Sequence, residues 1–275
     1  MGTNTKIDWC DATWNPVTGC LHGCKYCYAR RIAERFRPEY VSGMYGTNES
    51  EVSSRTNYEL KEPMRRCRYE SDGVKLLYEK TAYPFGFVPT FHRYRLEEPQ
   101  RWKKPRTIFV CSMADLFGDW VPDEWIKEVF AACDAAPQHR FLFLTKNPSR
   151  YKELENLLPL HRRPPAVAEM WFGHSYTGTG DYKPMQLHMA HSRFVSIEPL
   201  LHDLSEQDMM IVAATNDWII IGAETGHRKG KVIPKKSWVD GIVYYAKRNN
   251  VPVFMKESLR EIMGDDFRQE FPWEV

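Results

Sequence analysis

Residues 107–144, TIFVCSMADLFGDWVPDEWIKEVFAACDAAPQHRFLFL, contain one complete strand–helix–strand unit. Its two ends, 107–111 and 141–144, are short runs of apolar, β-branched or aromatic side chains, which are typical of buried strands. Between them, 122–133 begins with proline and two acidic residues and continues with apolar side chains at helical spacing. This order predicts a parallel βαβ unit with its strands buried on both faces.

The same alternation of apolar strands and amphipathic segments continues over most of the chain after residue 84. Apolar runs of strand length recur at 85–88, 107–111, 141–144, 170–173, 193–197, 218–222 and 252–255. Together with a short strand before Cys20 they provide about eight strands, which predicts an α/β protein with a full or partial (β/α) barrel of parallel strands. A doubly wound open sheet is the alternative, and the lack of a glycine-rich fingerprint after the first strand disfavours it.

The length of 275 residues fits a single barrel domain over residues 1–275, with an insertion at 37–82. The inserted segment is polar and has little periodicity, and we expect it to contain some helix. Just before it, 28–36 (YARRIAERF) has helical spacing, with Ile32 and Phe36 on one face and arginines on the other. We therefore expect a short strand, a loop and this helix at the start of the barrel.

The composition is that of an ordinary globular protein, with 43% hydrophobic and 27% charged residues and a net charge of +2. No apolar run is long enough to span a bilayer, and the N-terminal residues lack the apolar stretch of a secretory signal. We therefore expect a cytoplasmic protein without a membrane partner. In that reducing compartment seven cysteines, three of them close together, favour metal ligation over disulfide bonds.

The three clustered cysteines lie in 20–27 (CLHGCKYC) at C-x3-C-x2-C spacing. Thiolates select zinc or iron–sulfur clusters. Three thiolates can hold three corners of a 4Fe–4S cubane and leave one iron open to a substrate, whereas a fourth would give an electron-transfer centre. The alternative is a zinc site with His22 or Cys10 as a further ligand. Structural zinc sites usually pair two ligand clusters, and the sequence has no second cluster of that kind.

The spacing also resembles the cluster motif of the radical SAM superfamily, C-x3-C-x-aromatic-C, with Tyr26 at the aromatic position. Longer strings resemble a phage-associated three-cysteine-motif family within that superfamily. These strings are WNPVTGC at 14–20, FVCSMADLF at 109–117, LTK at 144–146, SIEPL at 196–200 and IGAETG at 221–226. The match runs from Lys6 to Lys256 and does not include 37–82, and it is more informative about cofactor and fold than about substrate.

The resemblance implies that Cys20, Cys24 and Cys27 ligate a 4Fe–4S cluster and that Tyr26 lies beside the adenine of S-adenosylmethionine. It implies further that the methionyl group chelates the free iron. One electron, from a donor such as a flavodoxin or ferredoxin, then releases methionine and a 5′-deoxyadenosyl radical that removes a hydrogen atom from a substrate. The sequence lacks the Gly-Gly-Glu with which many members hold the methionyl amine, and we expect Glu198 or Glu224 to replace it.

Polar side chains follow most of the predicted strands, where (β/α) barrels carry their chemistry. The candidates for binding S-adenosylmethionine at these positions are Ser112, Lys146, Glu198, Glu224 and Lys256. Lys146 and Lys256 would meet its carboxylate or an anionic substrate, and the alternative for each is a surface or helix-capping lysine. Cys111 is the candidate hydrogen-atom donor for a product radical, and its alternative is a small core residue.

Three basic stretches, 28–37, 92–106 and 227–236, bear on the substrate. Cations neutralise phosphates and aromatic rings stack on bases, so a basic rim around the barrel mouth would receive nucleic acid; a solvated charged face is the alternative. The phage association of the resembled family also favours a nucleic-acid base or nucleotide, which would be flipped or single-stranded. Other hypotheses are a zinc-containing nucleic-acid-binding module without catalysis and a cluster protein that only transfers electrons.

Overall fold

The computed structural model describes residues 5–38, 57–69, 76–155, 168–188, 191–226 and 228–274. In chain order the strands are β1 Ala12–Trp14, β2 Val17–Thr18, β3 Tyr58–Leu60, β4 Arg65–Tyr69, β5 Leu76–Lys80, β6 Thr90–His92, β7 Thr107–Val110, β8 Arg140–Thr145, β9 Glu169–Tyr176, β10 Ser192–Ile197, β11 Trp218–Ile221 and β12 Val253–Met255. The α-helices are α1 Tyr28–Arg35, α2 Glu98–Arg101, α3 Asp123–Asp134, α4 Arg150–Glu153, α5 Glu206–Thr215, α6 Lys236–Arg248 and α7 Arg260–Met263. None of the described helices combines the length and the apolar character needed to cross a membrane.

The main sheet contains seven strands in the order β1-β7-β8-β9-β10-β11-β12, and every neighbouring pair is parallel. The order never reverses along the sheet, so it lacks the switch point that defines a doubly wound fold. The predicted α/β class is therefore confirmed, and the sheet is a seven-stranded parallel half-barrel. The chain segments next to the two outer strands are joined by a hydrogen bond. Asp8, which precedes β1, accepts at Oδ2 from the amide of Glu257, which follows β12, at 2.8 Å.

The predicted strand at 85–88 is wrong. This run forms turns between two prolines, and Gly86 has a φ of +60°. Its apolar side chains pack against a helix instead of joining the sheet. Phe87 contacts Ala29 and Ala33 of α1. A turn that reverses the chain over so short a distance leaves no room for a strand, so the sheet has one strand fewer than expected.

Helix α1 is confirmed, and the face that it buries is formed by alanines. Ala29 and Ala33 are buried, whereas Ile32 and Phe36 are exposed. Small side chains let the helix approach the turn at 84–87 closely, so the larger apolar residues remain on the opposite side, at the protein surface.

The described part of 37–82 contains strands. β3 joins a small sheet in the order β2-β6-β3, and β4 and β5 form an antiparallel pair. The helix expected in this segment falls in part on 39–56 and 70–75, which lie outside the described residues. Trp125 of α3 donates a hydrogen bond from Nε1 to Glu59 Oε1, so β3 is attached to the barrel.

Alternate side chains of the main sheet face two different cores. One set packs against the helices outside the half-barrel. The other set fills the interior and consists of Trp9, Phe109, Leu142, Trp171, Phe194, Trp218, Ile220 and Phe254. Phe271 and Trp273, near the C-terminus, pack against this interior cluster. Large side chains therefore occupy the lower part of the interior, and the free space lies at the C-terminal ends of the strands.

Gly173 of β9 shows how tightly this interior is packed, because a Cβ atom there would overlap the ring of the fully buried Phe194. We expect Gly173→Ala to lower the free energy of unfolding by about 1–3 kcal/mol, measured by urea denaturation. Gly241→Ala in α6 is the control. Its Cβ would meet the flexible Met209 side chain at 2.8 Å, and alanine favours helices. A similar loss in both variants would contradict this packing argument.

Candidate functional site

A cavity of about 480 Å³ opens at the C-terminal edge of the main sheet. Trp9 and Phe109, at the top of the interior cluster, form part of its lining. All of the site residues predicted from the sequence except Cys111 line it: Cys20, Cys24, Tyr26, Cys27, Ser112, Lys146, Glu198, Glu224 and Lys256. The fold thus brings together side chains from distant parts of the chain, as expected for the strand ends of a barrel.

The cysteine loop, residues 19–27, is held at both of its ends. Gly19 donates a hydrogen bond to the Met113 carbonyl at 2.9 Å, and its φ of +88° and its contact with Val88 exclude a side chain there. At the other end, Cys27 is the N-cap of α1, and its Sγ accepts a hydrogen bond from the Arg30 amide at 3.3 Å. The loop geometry is therefore set by backbone contacts as well as by any ligand.

The three thiols of this loop are partly exposed and line the same cavity. Burial raises the pKa of Cys20 to about 12, a shift that a bound cation opposes by stabilising the thiolate. Among the described residues, no three Cys, His, Asp or Glu side chains converge closely enough to hold one metal ion. Thiolates bind both zinc and iron–sulfur clusters, so the three thiols of this loop suit either group.

The two proposed additional zinc ligands are placed differently. His22 Nε2 lies 2.7 Å from Asp115 Oδ2, and the His22 ring stands edge-on to Trp120. The His22 contact uses only Nε2, and metal-binding histidines commonly give their second ring nitrogen to a carboxylate, so this contact does not exclude zinc. Cys10, by contrast, lies outside the cavity lining, and its thiol donates a weak hydrogen bond to the Ile7 carbonyl at 3.9 Å.

Asp115 connects the cysteine loop to the strand ends. Its carboxylate is 4% exposed and accepts four hydrogen bonds. Oδ2 accepts from His22 Nε2 at 2.7 Å and from the Lys146 amide at 2.8 Å, and Oδ1 accepts from Thr145 Oγ1 at 2.7 Å and from the Phe117 amide at 3.0 Å. The sequence placed Asp115 beyond a strand but assigned it no role, because its partners lie on a separate loop and strand.

Glu198 and Lys256 form an ion pair within the cavity, with Nζ and Oε1 2.5 Å apart. Gly222 lies between them. A Cβ atom there would come within 2.9 Å of Lys256 Cδ and 3.2 Å of Glu198 Cγ. A glycine at this position therefore lets the two side chains meet across the top of β11.

The second cavity carboxylate, Glu224, is bound by its own loop. Arg228 donates from Nε and Nη2 to the two oxygens of Glu224, at 2.5 and 2.6 Å. These hydrogen bonds hold the pKa of Glu224 below its ordinary value. Glu224 is therefore ionised at neutral pH, with both of its oxygens already in use.

Tyr26 and Lys146 lie together on the wall of the cavity. The Lys146 ammonium group is 5.9 Å from the centre of the Tyr26 ring, within the range of a cation–π contact. Burial raises the pKa of Tyr26 to about 12, so its hydroxyl is neutral. Nearby, Ser112 Oγ donates to Asn15 Oδ1 at 3.2 Å, which fixes the Ser112 side chain.

Ser196 is a lining residue that the sequence analysis missed. Its hydroxyl is buried and has no hydrogen-bond partner among the described residues. Ser175 lines the cavity on the neighbouring strand, and the two residues are paired in register. The two-residue alternation of 192–197 could have identified Ser196 as facing inward, since it lies two positions after Phe194 of the interior cluster.

Cys111 is placed away from the cavity. It is 2% exposed, has a φ of +58° and packs in the outer core with Trp14 and Leu116. Burial raises the pKa of its thiol to about 12. Cys111 therefore has the position of a small core residue, which was the alternative to the catalytic role. Hydrogen-atom donation by Cys111 stays a prediction, and this buried position does not favour it.

Of the three basic stretches, 92–106 does not reach the cavity. Its last residues lead into β7 and therefore lie at the N-terminal ends of the strands, opposite the cavity. Within it Arg95 is buried and donates to the Asn15 carbonyl at 2.8 Å, and Arg93 forms ion pairs with Glu59 and Glu128. The expected basic rim is therefore wrong for this stretch, whose arginines support the fold.

The fold and the site define an α/β protein built on a parallel half-barrel, with three thiols and several charged side chains around one cavity at its upper edge. A family profile described as "Protein of unknown function (DUF5131)" matches residues 4–261, and the chain belongs to this family. No curated protein and no solved structure matches the chain.

The hydrogen bonds of Asp115 lead to a test of its role in holding the cysteine loop. In Asp115→Asn one oxygen acceptor becomes an NH₂ group that faces donors, so we expect the free energy of unfolding to fall by about 1–3 kcal/mol. Urea denaturation of the metal-free protein measures the loss. Asp119→Asn is the matched control, because its side chain is 82% exposed. Equal stability of the two variants would show that the buried carboxylate does not hold the loop.

Proposed function

We propose that this protein is a radical SAM enzyme, which holds a 4Fe–4S cluster on Cys20, Cys24 and Cys27 and cleaves S-adenosylmethionine reductively. One observation carries the proposal. The three thiols line the same cavity as the ion pair between Glu198 and Lys256. When bound, the cluster delivers one electron to S-adenosylmethionine, which yields methionine and a 5′-deoxyadenosyl radical.

Glu198 and Lys256 are matched to the methionyl group of that cofactor. The Glu198 carboxylate accepts hydrogen bonds from its ammonium group, and the Lys256 ammonium donates to its carboxylate. The two side chains neutralise each other in this structure, so neither charge lacks a partner. Glu224 is the weaker candidate for the amine, because Arg228 already occupies both of its oxygens.

Other lining groups support the remainder of the cofactor. Tyr26 offers the face of a neutral ring for stacking on adenine. The Ser196 hydroxyl, which has no partner among the described residues, offers a hydrogen bond. Trp9 and Phe109, beneath these groups, keep water away from the reacting atoms. The enzyme also requires an external electron donor, such as a flavodoxin or ferredoxin.

The ligand assignment is tested by metal analysis of protein prepared without oxygen. We expect about four irons and four sulfides per chain in the wild type and loss of both in Cys24→Ala, since two thiolates do not retain a cubane. Production of 5′-deoxyadenosine under reductant should disappear with the cluster. Cys10→Ala is the control and should keep the wild-type iron content, because Cys10 lies outside the cavity lining. A colourless wild-type protein with one zinc ion would refute the proposal.

The role of the ion pair is tested by measuring the affinity for S-adenosylmethionine with isothermal titration calorimetry. Glu198→Gln and Lys256→Met each remove one charge-assisted hydrogen bond, and we expect each to weaken binding about tenfold or more. Glu97→Gln is the control, since its pair with Arg101 is exposed and lies in the stretch that leads to the N-terminal ends of the strands. Wild-type affinity in both cavity variants would exclude this pair as the methionyl site.

A further inference from the structure

Positive charge is concentrated in two segments. Residues 20–37 contain five Lys and Arg and one acid, and 224–236 contain the same numbers. Each segment therefore has a net charge of +4, and the two together have +8, although the whole chain has only +2. The rest of the protein therefore has a net charge of −6, so positive charge is concentrated in these two segments.

The two segments meet at the mouth of the cavity. A Cβ atom at Gly226 would lie 3.4 Å from the guanidinium nitrogens of Arg31 in α1. Tyr28 and Ile32 on one side, and Thr225 on the other, line the cavity itself. The described cations of 28–37 and 228–236 thus lie on two segments that meet beside the entrance, and we call these cations together the basic rim.

Most of these cations have no ion-pair partner among the described residues. Among the ion pairs of the described residues, none involves Arg31, Arg35, Lys229 or Lys231. Three others do form ion pairs: Arg37 with Glu34, Arg228 with Glu224, and Lys236 with Asp240 and Asp266. The basic rim therefore has unused capacity to bind anionic groups.

Apolar side chains lie between these cations. Tyr28, Ile32 and Phe36 follow one another at four-residue spacing along α1 and are 45%, 38% and 49% exposed. The Tyr28 hydroxyl donates to the Ser112 carbonyl at 2.6 Å, which holds its ring at the entrance. The Arg35 guanidinium lies 5.5 Å from the centre of the Phe36 ring. Exposed rings alternating with cations form the kind of surface on which the bases and phosphates of a single strand bind.

We infer that the basic rim binds single-stranded nucleic acid and presents one of its bases to the cavity. The phosphates contact Arg31, Arg35, Lys229 and Lys231, while bases stack on Phe36 and Tyr28. A duplex does not fit this arrangement, because its bases are paired and cannot enter a cavity. The inference rests on the proposed function for the reaction that follows, but the binding itself does not depend on it.

An acidic electron-transfer protein has the same charge complementarity. The position of the rim favours nucleic acid, since its cations and rings lie beside the entrance through which a substrate must pass. A redox protein needs only to approach the cysteines from outside, and it would block that entrance if it docked there.

The test is fluorescence anisotropy with the reconstituted protein and a labelled mixed-sequence DNA strand of about 20 nucleotides, compared with the corresponding RNA and DNA duplex. We expect single strands to bind more tightly than the duplex. Lys229→Gln with Lys231→Gln, and Arg31→Gln with Arg35→Gln, should each weaken binding and reduce the slope of log affinity against log salt by about 0.7 per lost phosphate contact. Phe36→Ala should reduce affinity about tenfold.

Matched controls are Lys103→Gln with Lys104→Gln, two exposed cations near the N-terminal ends of the strands, and Tyr244→Ala, an exposed ring on α6. Both should bind like the wild type. The inference fails if single strands do not bind at low salt, if the duplex binds equally well, or if the controls lose as much affinity as the rim variants. It also fails if the rim variants keep their oligonucleotide affinity but are reduced more slowly by flavodoxin.

Cleavage of S-adenosylmethionine with dithionite as reductant, measured in the same wild-type preparation, separates the two proposals. Cleavage without strand binding overturns the inference about the rim and leaves the proposed function intact. Strand binding without cluster or cleavage has the opposite meaning, and the protein would then be a nucleic-acid-binding protein without this chemistry.

Discussion

Large side chains, most of them aromatic, fill the lower interior of the half-barrel, and the position of the cavity depends on this packing. Trp171, Phe194 and Trp218 are buried there, and Phe271 and Trp273 pack against the same cluster. Because protein interiors pack densely, this cluster leaves no space for a ligand below the strand ends. The polar residues that follow the strands therefore surround the space above it, where all of the parallel strands point.

The cysteine loop depends on this frame in turn. A loop with two glycines at positive φ does not by itself hold three thiols in one geometry. The buried Asp115 carboxylate joins it to the ends of β7 and β8 through His22, and Cys27 joins it to α1. A site held by a buried, fully hydrogen-bonded carboxylate is pre-organised before any cofactor binds, which reduces the ordering cost of binding.

Several features of the fold and site could be predicted from local sequence alone. The apolar runs at 107–111 and 141–144 and the amphipathic segment between them are visible because strand and helix periods differ. The order of such units along the chain predicts a parallel sheet with polar residues gathered at one edge, so Lys146, Glu198 and Lys256 could be named as site residues. The spacing of the three cysteines likewise shows in the sequence that they share one loop.

Tertiary structure alone decided which partner each side chain meets. The pattern of α1 places Ile32 and Phe36 on one face, but the close approach of the 84–87 turn buries the alanine face. Arg95 belongs to a basic stretch, and Cys111 follows strand β7. Both are nevertheless buried and do not line the cavity. Local pattern determines the period and order of the elements, because these depend on neighbouring residues. Pairs such as Glu198 with Lys256, and Asp115 with His22, depend on how the sheet curves and brings distant strand ends together, which no local pattern contains.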